Sequence, residues 1–368
     1  MRASAATVGV TGTARRPRSL ACRARHAPCV LDLLGHPHCG KAMQAIVLVG
    51  GEGTRLRPLT DSVPKPALTL VDRPFLAYMI EWLAGHGVSE VVLACGFLPA
   101  VLREALAGEE ERAGVRIRYV TEPEPLGTAG AIRFAADQLG DELEERFLAL
   151  NGDVLTDLDL GSLLRRHEET EGLGTVGLYP VEDSAAFGLV RRGEGGEVLE
   201  FVEKTGFNEP GEVNAGIYVL ERPLLDLIAP GANVSIEREV FPRLAGESLY
   251  CEVLEGYWVD IGTPERYLQA SWDILEGRVA TRVEPTGHGV LVDPDAKVSA
   301  GARLGPRAVV GPSCRVGDGA EVRGSVLLDC TVGERARVLD SILASGTAVA
   351  AGAEVAGAVA AGGEIAEI

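Results

Sequence analysis

Hydrophobic positions are arranged in three different ways along the chain. From residue 43 to 280, short apolar or β-branched runs at 46–49, 90–94, 116–120 and 147–151 alternate with longer amphipathic stretches, of which 75–86 and 129–139 have helical spacing. This alternation predicts an α/β domain on a Rossmann-like, mainly parallel sheet with helices on both faces. In such sheets ligands gather at the carboxyl ends of the strands. Past residue 286 the period becomes six: Val292, Val298, Leu304, Val310, Val316, Val322 and Leu328 recur in register, with Gly305, Gly311 and Gly317 directly following their aliphatic residues. The register slips after Leu328, resumes at Val332 and Val338, and returns again at Val349 and Val355. A six-residue period with small turn residues predicts a parallel β-helix over 286–368, each coil adding its aliphatic residues to a continuous column.

Residues 1–42 follow neither pattern. They carry Arg2, Arg15, Arg16, Arg18, Arg23, Arg25 and Lys41 against one acid, Asp32. The Arg-rich start has no clean apolar core or cleavage site of a targeting peptide. Cys22, Cys29, His36, His38 and Cys39 are metal-ligand types in no standard zinc spacing. The expectation is a disordered or non-native extension, with the native chain starting at Met43, where a strand begins without preamble.

Charge narrows the function classes. Lys and Arg total 35 against 53 Asp and Glu, a net charge of −18, which argues against a nucleic-acid partner or an anionic membrane surface. Any phosphate must be met by a few placed cations and backbone N–H groups. No apolar run reaches the length of a bilayer span. Seven cysteines, an odd and irregularly spaced set, point to reduced thiols and a cytoplasmic protein, with Cys95 a buried strand thiol.

Candidate chemistry sits at the ends of the predicted strands. Gly50-Gly51-Glu52-Gly53-Thr54-Arg55-Leu56-Arg57-Pro58-Leu59-Thr60 directly follows the strand at 45–49. Its glycines let the backbone approach phosphates, and Arg55 offers a forked cation. On its own this is also an ordinary glycine-rich turn, and it is neither a Walker loop nor Gly-x-Gly-x-x-Gly. Pro64-Lys65-Pro66 then holds one lysine between two stiffening prolines. Phe147-Leu148-Ala149-Leu150-Asn151-Gly152-Asp153 is an apolar strand ending in a carboxylate, readable as a strand-capping turn or as a metal ligand beside phosphates. In Trp258-Val259-Asp260-Ile261-Gly262-Thr263-Pro264-Glu265, Asp260 lies among apolar neighbours before a helix that Thr263 caps and Pro264 opens, and a partly buried Asp needs a partner.

The string Gly-Gly-x-Gly-Thr-Arg-Leu-x-Pro-Leu-Thr followed by Pro-Lys-Pro resembles the start of the sugar-1-phosphate nucleotidyltransferases, the sugar-nucleotide pyrophosphorylases. The resemblance covers residues 43 to about 275 through specific motifs and the repeat region by pattern, where similarity to hexapeptide-repeat proteins implies a left-handed, triangular helix of roughly four coils. It implies that Gly50, Gly51, Gly53, Thr54, Arg55 and Lys65 hold the nucleoside triphosphate. It further implies that Asp153 and Asp260 hold Mg²⁺, and that Lys204 pairs with the sugar phosphate while Glu203, Asn214 and the Gly188 backbone meet sugar hydroxyls. Arg55, Lys65 and Lys204 are then the catalytic cations. Glu124-Pro125-Leu126-Gly127-Thr128-Ala129-Gly130 resembles mannose-1-phosphate guanylyltransferases and related heptose-phosphate enzymes, with Gly127 and Thr128 at the nucleotide, favouring GTP and mannose 1-phosphate over thymidylyl, adenylyl or heptose alternatives.

The implied reaction is in-line attack of the sugar phosphate on the α-phosphorus, catalysed by alignment and charge neutralisation without a covalent intermediate. His86 and His167 fall in helical segments as surface or packing residues. Two rivals stand beside this reading. One is a hexapeptide acyltransferase, disfavoured because His288 precedes the repeats and 291–368 contain no histidine. The other is a non-catalytic regulatory paralogue, disfavoured because neither Asp nor the loop arginine is lost. The β-helix then serves oligomerisation or regulation, packing on a neighbouring subunit or its own catalytic domain.

Overall fold

The computed structural model describes residues 43–185, 187–202 and 209–368; the Cys/His cluster of the first 42 residues, Glu203 and Lys204 lie outside them. Alternation of strand and helix signals produces a nine-stranded sheet. Met43–Leu48 lies at its centre, parallel to Val88–Cys95 on one side and Arg146–Asn151 on the other, and Arg116–Thr121 extends the parallel array. Beyond Arg146–Asn151 the long strand Gly211–Glu221 runs antiparallel. It pairs in turn with Gly174–Val181 and Leu189–Arg192. The parallel strands are apolar on both faces because helices cover both: Val47, Val91 and Leu148 enter one core, and Ile46, Val92 and Ala149 the other.

Six α-helices among the described residues accompany the sheet: α1 (Phe75–Gly85), α2 (Pro99–Ala105), α3 (Glu109–Ala113), α4 (Gly127–Leu139), α5 (Leu160–Thr170) and α6 (Pro264–Leu275). The expected start of α6 is present in detail, with the Thr263 hydroxyl accepting from the Arg266 N–H and Pro264 in the first turn. Cys95 is fully buried, which pushes its thiol up to about 12.

Of the two histidines read as packing residues, His86 is half-buried at the end of α1, while His167 is buried on α5. The His167 ring lies 2.8 Å from Thr175 Oγ1 and 3.0 Å from Glu221 Oε1. Burial lowers its pKa despite the nearby carboxylate. The unfolded chain therefore takes up a proton below a pH of about 6.5 that the folded chain resists, and this site withdraws stability as the pH falls through that window. His167→Gln is expected to show a shallower fall in thermal midpoint between pH 7 and 5 than the wild type. An equal or steeper fall rules out His167 as a source of acid sensitivity.

The six-residue period folds into three stacks of short parallel strands, the architecture of a left-handed β-helix of hexapeptide repeats. Val298, Val316, Val332 and Val349 form one stacked position, and Leu304, Val322, Val338 and Val355 the second. The third holds Val310, Leu327, Leu343 and Ala360. Leu327, not Leu328, thus occupies the column. The corners between Val322 and Leu327 and between Leu327 and Val332 are each one residue shorter than that between Leu304 and Val310, which together account for the slip seen in the sequence. Leu328 is displaced outward, and Val292, at the open end of the stack, stays 39% exposed.

That outward face is covered. Val309, Val326, Ile342 and Val359 alternate with the inward column and share one apolar core with Leu56, Tyr267, Leu268, Ala270, Ile274 and Leu275. Trp272 of α6 donates its indole N–H to the Gly324 carbonyl at 3.0 Å, and the Arg307 guanidinium stacks 4.2 Å from its ring centroid. Of the two expected roles for the apolar faces, packing on its own catalytic half accounts for this one. The other two faces present Lys297, Arg315 and an Arg303, Glu321, Arg337, Glu354 ladder with ion pairs of 2.6–3.5 Å.

Candidate active site

Asp153 and Asp260 are brought together by backbone pairing. The strand Arg146–Asn151 ends at Asn151, and Gly152 passes the chain over Leu48, donating its N–H to the Leu48 carbonyl at 2.9 Å. Val154–Thr156 then pairs antiparallel with Trp258–Asp260, setting Asp260 opposite Val154, and Ile261 N donates to the Asp153 carbonyl at 3.0 Å. Both carboxylates stand at the carboxyl end of the parallel strands, where ligands are expected.

Lys65 enters between them. It opens a single 3₁₀ turn, Lys65–Ala67, set by Pro64 and Pro66, and its side chain is only 10% exposed. Its Nζ lies 3.0 Å from Asp153 Oδ2 and 3.7 Å from Asp260 Oδ1. Arg266, one turn into α6, reaches Asp260 Oδ2 at 3.1 Å. Asp260 Oδ1 is buried and accepts no hydrogen bond. Burial first, and the Asp153 carboxylate second, push the Asp260 carboxyl above its ordinary range, against the opposing effect of Lys65, Arg266 and Arg55. A buried carboxylate oxygen without a donor, facing a second carboxylate, fits a hard cation with oxygen ligands. Among the described residues there is no group of three or more His, Cys, Asp or Glu side chains gathered as a metal site, so any cation held by this pair must take its remaining ligands from elsewhere.

The glycine-rich loop folds over the same point. Gly53 has φ +65°, and a Cβ there sits 3.1 Å from both Lys65 Cβ and Thr60 Cγ2. Thr60 Oγ1 closes the loop by donating to the Gly53 carbonyl at 2.9 Å. Gly50 and Gly51 are exposed, as are Thr54 and Arg55. A Cβ on Gly262 comes within 2.8 Å of Arg55 Nη2, so Arg55 lies against the Asp260-Ile261-Gly262 turn.

A second wall is aromatic and was not apparent in the sequence. Phe187, beside Gly188, packs edge-on to Trp258 at 5.4 Å between centroids, and the Arg266 guanidinium lies 4.9 Å from the Phe187 ring centroid. The Trp258 indole N–H donates to the Ala215 carbonyl at 2.9 Å, tying Asn214 and Gly216 to the aspartate strand. Gly216, at φ +72°, leaves the space that Asn151 occupies: a Cβ there falls 2.7 Å from Asn151 Nδ2. Gly127, at φ +68°, opens α4 against Val234, whose carbonyl a Cβ meets at 2.6 Å. The Thr128 hydroxyl is engaged internally, donating to Glu237 Oε2 at 3.0 Å and accepting from Ile236 N at 2.8 Å. Arg266 and Phe187 carried no motif; only the position of Arg266 three residues after the Thr263 cap hinted that it returns toward Asp260.

The chain matches the family described as Nucleotidyl transferase over residues 44–277 and the GMPPB C-terminal domain over 286–366. It is 41% identical over 292 residues to a mannose-1-phosphate guanylyltransferase of Mycobacterium tuberculosis, covering 78% of this chain and 80% of that protein. It is 39% identical to the mannose-1-phosphate guanylyltransferase catalytic subunit beta of Dictyostelium discoideum, covering 70% of this chain and 73% of that one. Among solved structures, HddC of Yersinia pseudotuberculosis complexed with GMP-PN superposes with a TM-score of 0.55 at 26% identity, over 63% of this chain and 99% of HddC. Together with the glycine loop, Lys65 and the paired aspartates, these matches place the chain in the nucleotidyl transferase family.

Proposed function

We propose that the protein transfers GMP from GTP to mannose 1-phosphate, giving GDP-mannose and pyrophosphate. The observation that carries the reading is the cluster of Asp153, Asp260 and Lys65 beneath the glycine-rich loop. The base and sugar follow from the similarity to mannose-1-phosphate guanylyltransferases and from Pro125-Leu126-Gly127-Thr128.

Asp153 and Asp260 are the residues to hold Mg²⁺; when bound, this ion neutralises triphosphate charge and fixes the α-phosphate for attack. Gly50, Gly51, Gly53 and Thr54 bring backbone donors to the phosphates, and Arg55 and Lys65 offset charge on the departing pyrophosphate. Lys204 pairs with the sugar phosphate, with Glu203, Asn214 and the Gly188 backbone on the sugar hydroxyls. Gly127 and Thr128 meet the nucleotide through the backbone, the Thr128 side chain being engaged elsewhere. The attacking phosphate oxygen needs no general base, so the chain's task is alignment.

The remaining assignments belong to the same proposal. Residues 43–280 form the catalytic domain and 286–368 the β-helix domain, and a homo-oligomer forms through the polar faces of the β-helix. The location is cytoplasmic, in keeping with the free thiols of Cys95, Cys251, Cys314 and Cys330; no helix among the described residues is long and apolar enough to cross a membrane.

The test is pyrophosphate release with Mg²⁺ across GTP, dTTP, UTP, ATP and CTP against mannose, glucose and heptose 1-phosphates. GTP with mannose 1-phosphate is expected to lead, and Lys204→Ala to fall by about 10²-fold or more, the scale for losing one preorganised charge contact. Turnover with a different pair corrects the substrates; an unaffected Lys204→Ala removes that residue from the mechanism.

A further inference from the structure

Behind the two substrate subsites runs a polar network that joins Thr128 and Asn214 through residues to which no role has been assigned. Its centre is Glu237, on the short π-helix Ile236–Val240, a helix type common at functional sites. One carboxylate oxygen, Oε2, accepts from Thr128 Oγ1 at 3.0 Å and from Ser235 Oγ at 2.9 Å. The other, Oε1, accepts from Tyr218 OH at 3.1 Å. Tyr218 is fully buried, and its hydroxyl accepts in turn from Asn214 Nδ2 at 2.8 Å, while Asn214 Oδ1 accepts from Gly216 N at 2.9 Å.

Every hydrogen in this chain has one consistent direction. Thr128 Oγ1 takes the Ile236 N–H, so its own hydrogen goes to Glu237. Tyr218 gives its single hydrogen to Glu237 and can only accept from Asn214. The Asn214 amide is thereby fixed with its oxygen on Gly216 N and one N–H on Tyr218, leaving its second N–H to meet a ligand. A carboxylate, with acceptor sites only, satisfies all three hydroxyl donors; an amide does not.

We propose that Glu237 is a positioning residue shared by both substrates, fixing the start of α4 at the nucleotide through Thr128 and the Asn214 amide at the sugar phosphate through Tyr218. This rests on the reading above that Gly127 and Thr128 meet the nucleotide and Asn214 the sugar. In Glu237→Gln the amide turns an N–H toward either Tyr218 or Thr128. Facing Tyr218, it sends the phenol hydrogen against the Asn214 N–H, and the Asn214 amide cannot flip without opposing its own N–H to that of Gly216. Facing Thr128, it leaves the Thr128 hydroxyl hydrogen without the carboxylate oxygen that accepts it.

The experiment is steady-state kinetics, with thermal midpoints, on the wild type, Glu237→Gln, Tyr218→Phe, Thr128→Ala and Asn214→Ala, using the substrate pair that the wild type turns over. Glu237→Gln is expected to raise KM for both substrates, by about tenfold for a lost oriented contact, with a smaller change in kcat. Tyr218→Phe raises KM for the sugar phosphate alone, and Thr128→Ala for the nucleotide alone. In an Asn214→Ala background, Glu237→Gln adds nothing further to the sugar-phosphate KM. A purely structural role instead lowers the thermal midpoint and kcat with both KM values unchanged, and that result overturns the proposal. Full additivity with Asn214→Ala overturns it too. An inactive wild type that binds neither GTP with Mg²⁺ nor mannose 1-phosphate by calorimetry defeats the functional reading and this inference together. An active wild type with an indifferent Glu237→Gln defeats only the inference.

Discussion

Asp260→Asn is expected to lose nearly all pyrophosphate release, by about 10²–10³-fold or more, while remaining folded. The side chain keeps its shape and its contact with Arg266 but no longer presents a charge beside Asp153. The metal-free variant should be at least as stable as the wild type at neutral pH. The carboxyl of Asp260 is pushed up by burial and by Asp153, so the folded chain holds its proton more tightly than the unfolded one. Stability therefore falls as pH rises through the window above the ordinary carboxylate value, and Asn removes that loss. The gain should vanish in acid, where both carboxylates are protonated. Thermal midpoints from pH 3 to 8, alongside turnover, check both parts; near-wild-type turnover removes Asp260 from the reaction.

Gly152→Ala should be damaging for a steric reason. The added Cβ lands 2.6 Å from Val49 Cγ1 and 2.7 Å from the Leu48 carbonyl oxygen, and the backbone atom cannot turn aside. Overpacking of this kind costs about 1–3 kcal/mol, and the relief lies in moving the turn that carries Asp153. A displacement near 1 Å can cost about 10²-fold in rate, so turnover should fall further than stability. An unchanged kcat in a destabilised variant indicates that the strain relaxes toward Val49, away from the site.

What the sequence revealed and what it withheld have a common physical origin. Glycine loops, prolines around Lys65 and aspartates at strand ends are local devices, readable because each does its work within a few residues. The column positions of the β-helix were readable up to Val322 and again at Val332, Val338, Val349 and Val355, and failed at Leu328, because an omitted corner residue shifts the inward register without disturbing composition. Phe187, Arg266, Tyr218 and Glu237 were silent because their importance depends on partners far along the chain: Thr128 and Glu237 are 109 residues apart. The antiparallel extension of the sheet was hidden for the same reason, since Gly211–Glu221 and Arg146–Asn151 look alike as apolar strands and only their pairing sets direction.

The apolar row of Val309, Val326, Ile342 and Val359 gives the number of coils a meaning beyond bulk. Each of these coils contributes one fully buried residue to the core shared with α6, the helix that begins just after Asp260. Solenoids can ordinarily gain or lose repeats with little consequence for what precedes them. Here the coils share a core with a helix in the other half of the molecule, so removing a coil takes away part of the bed on which the helix following Asp260 rests.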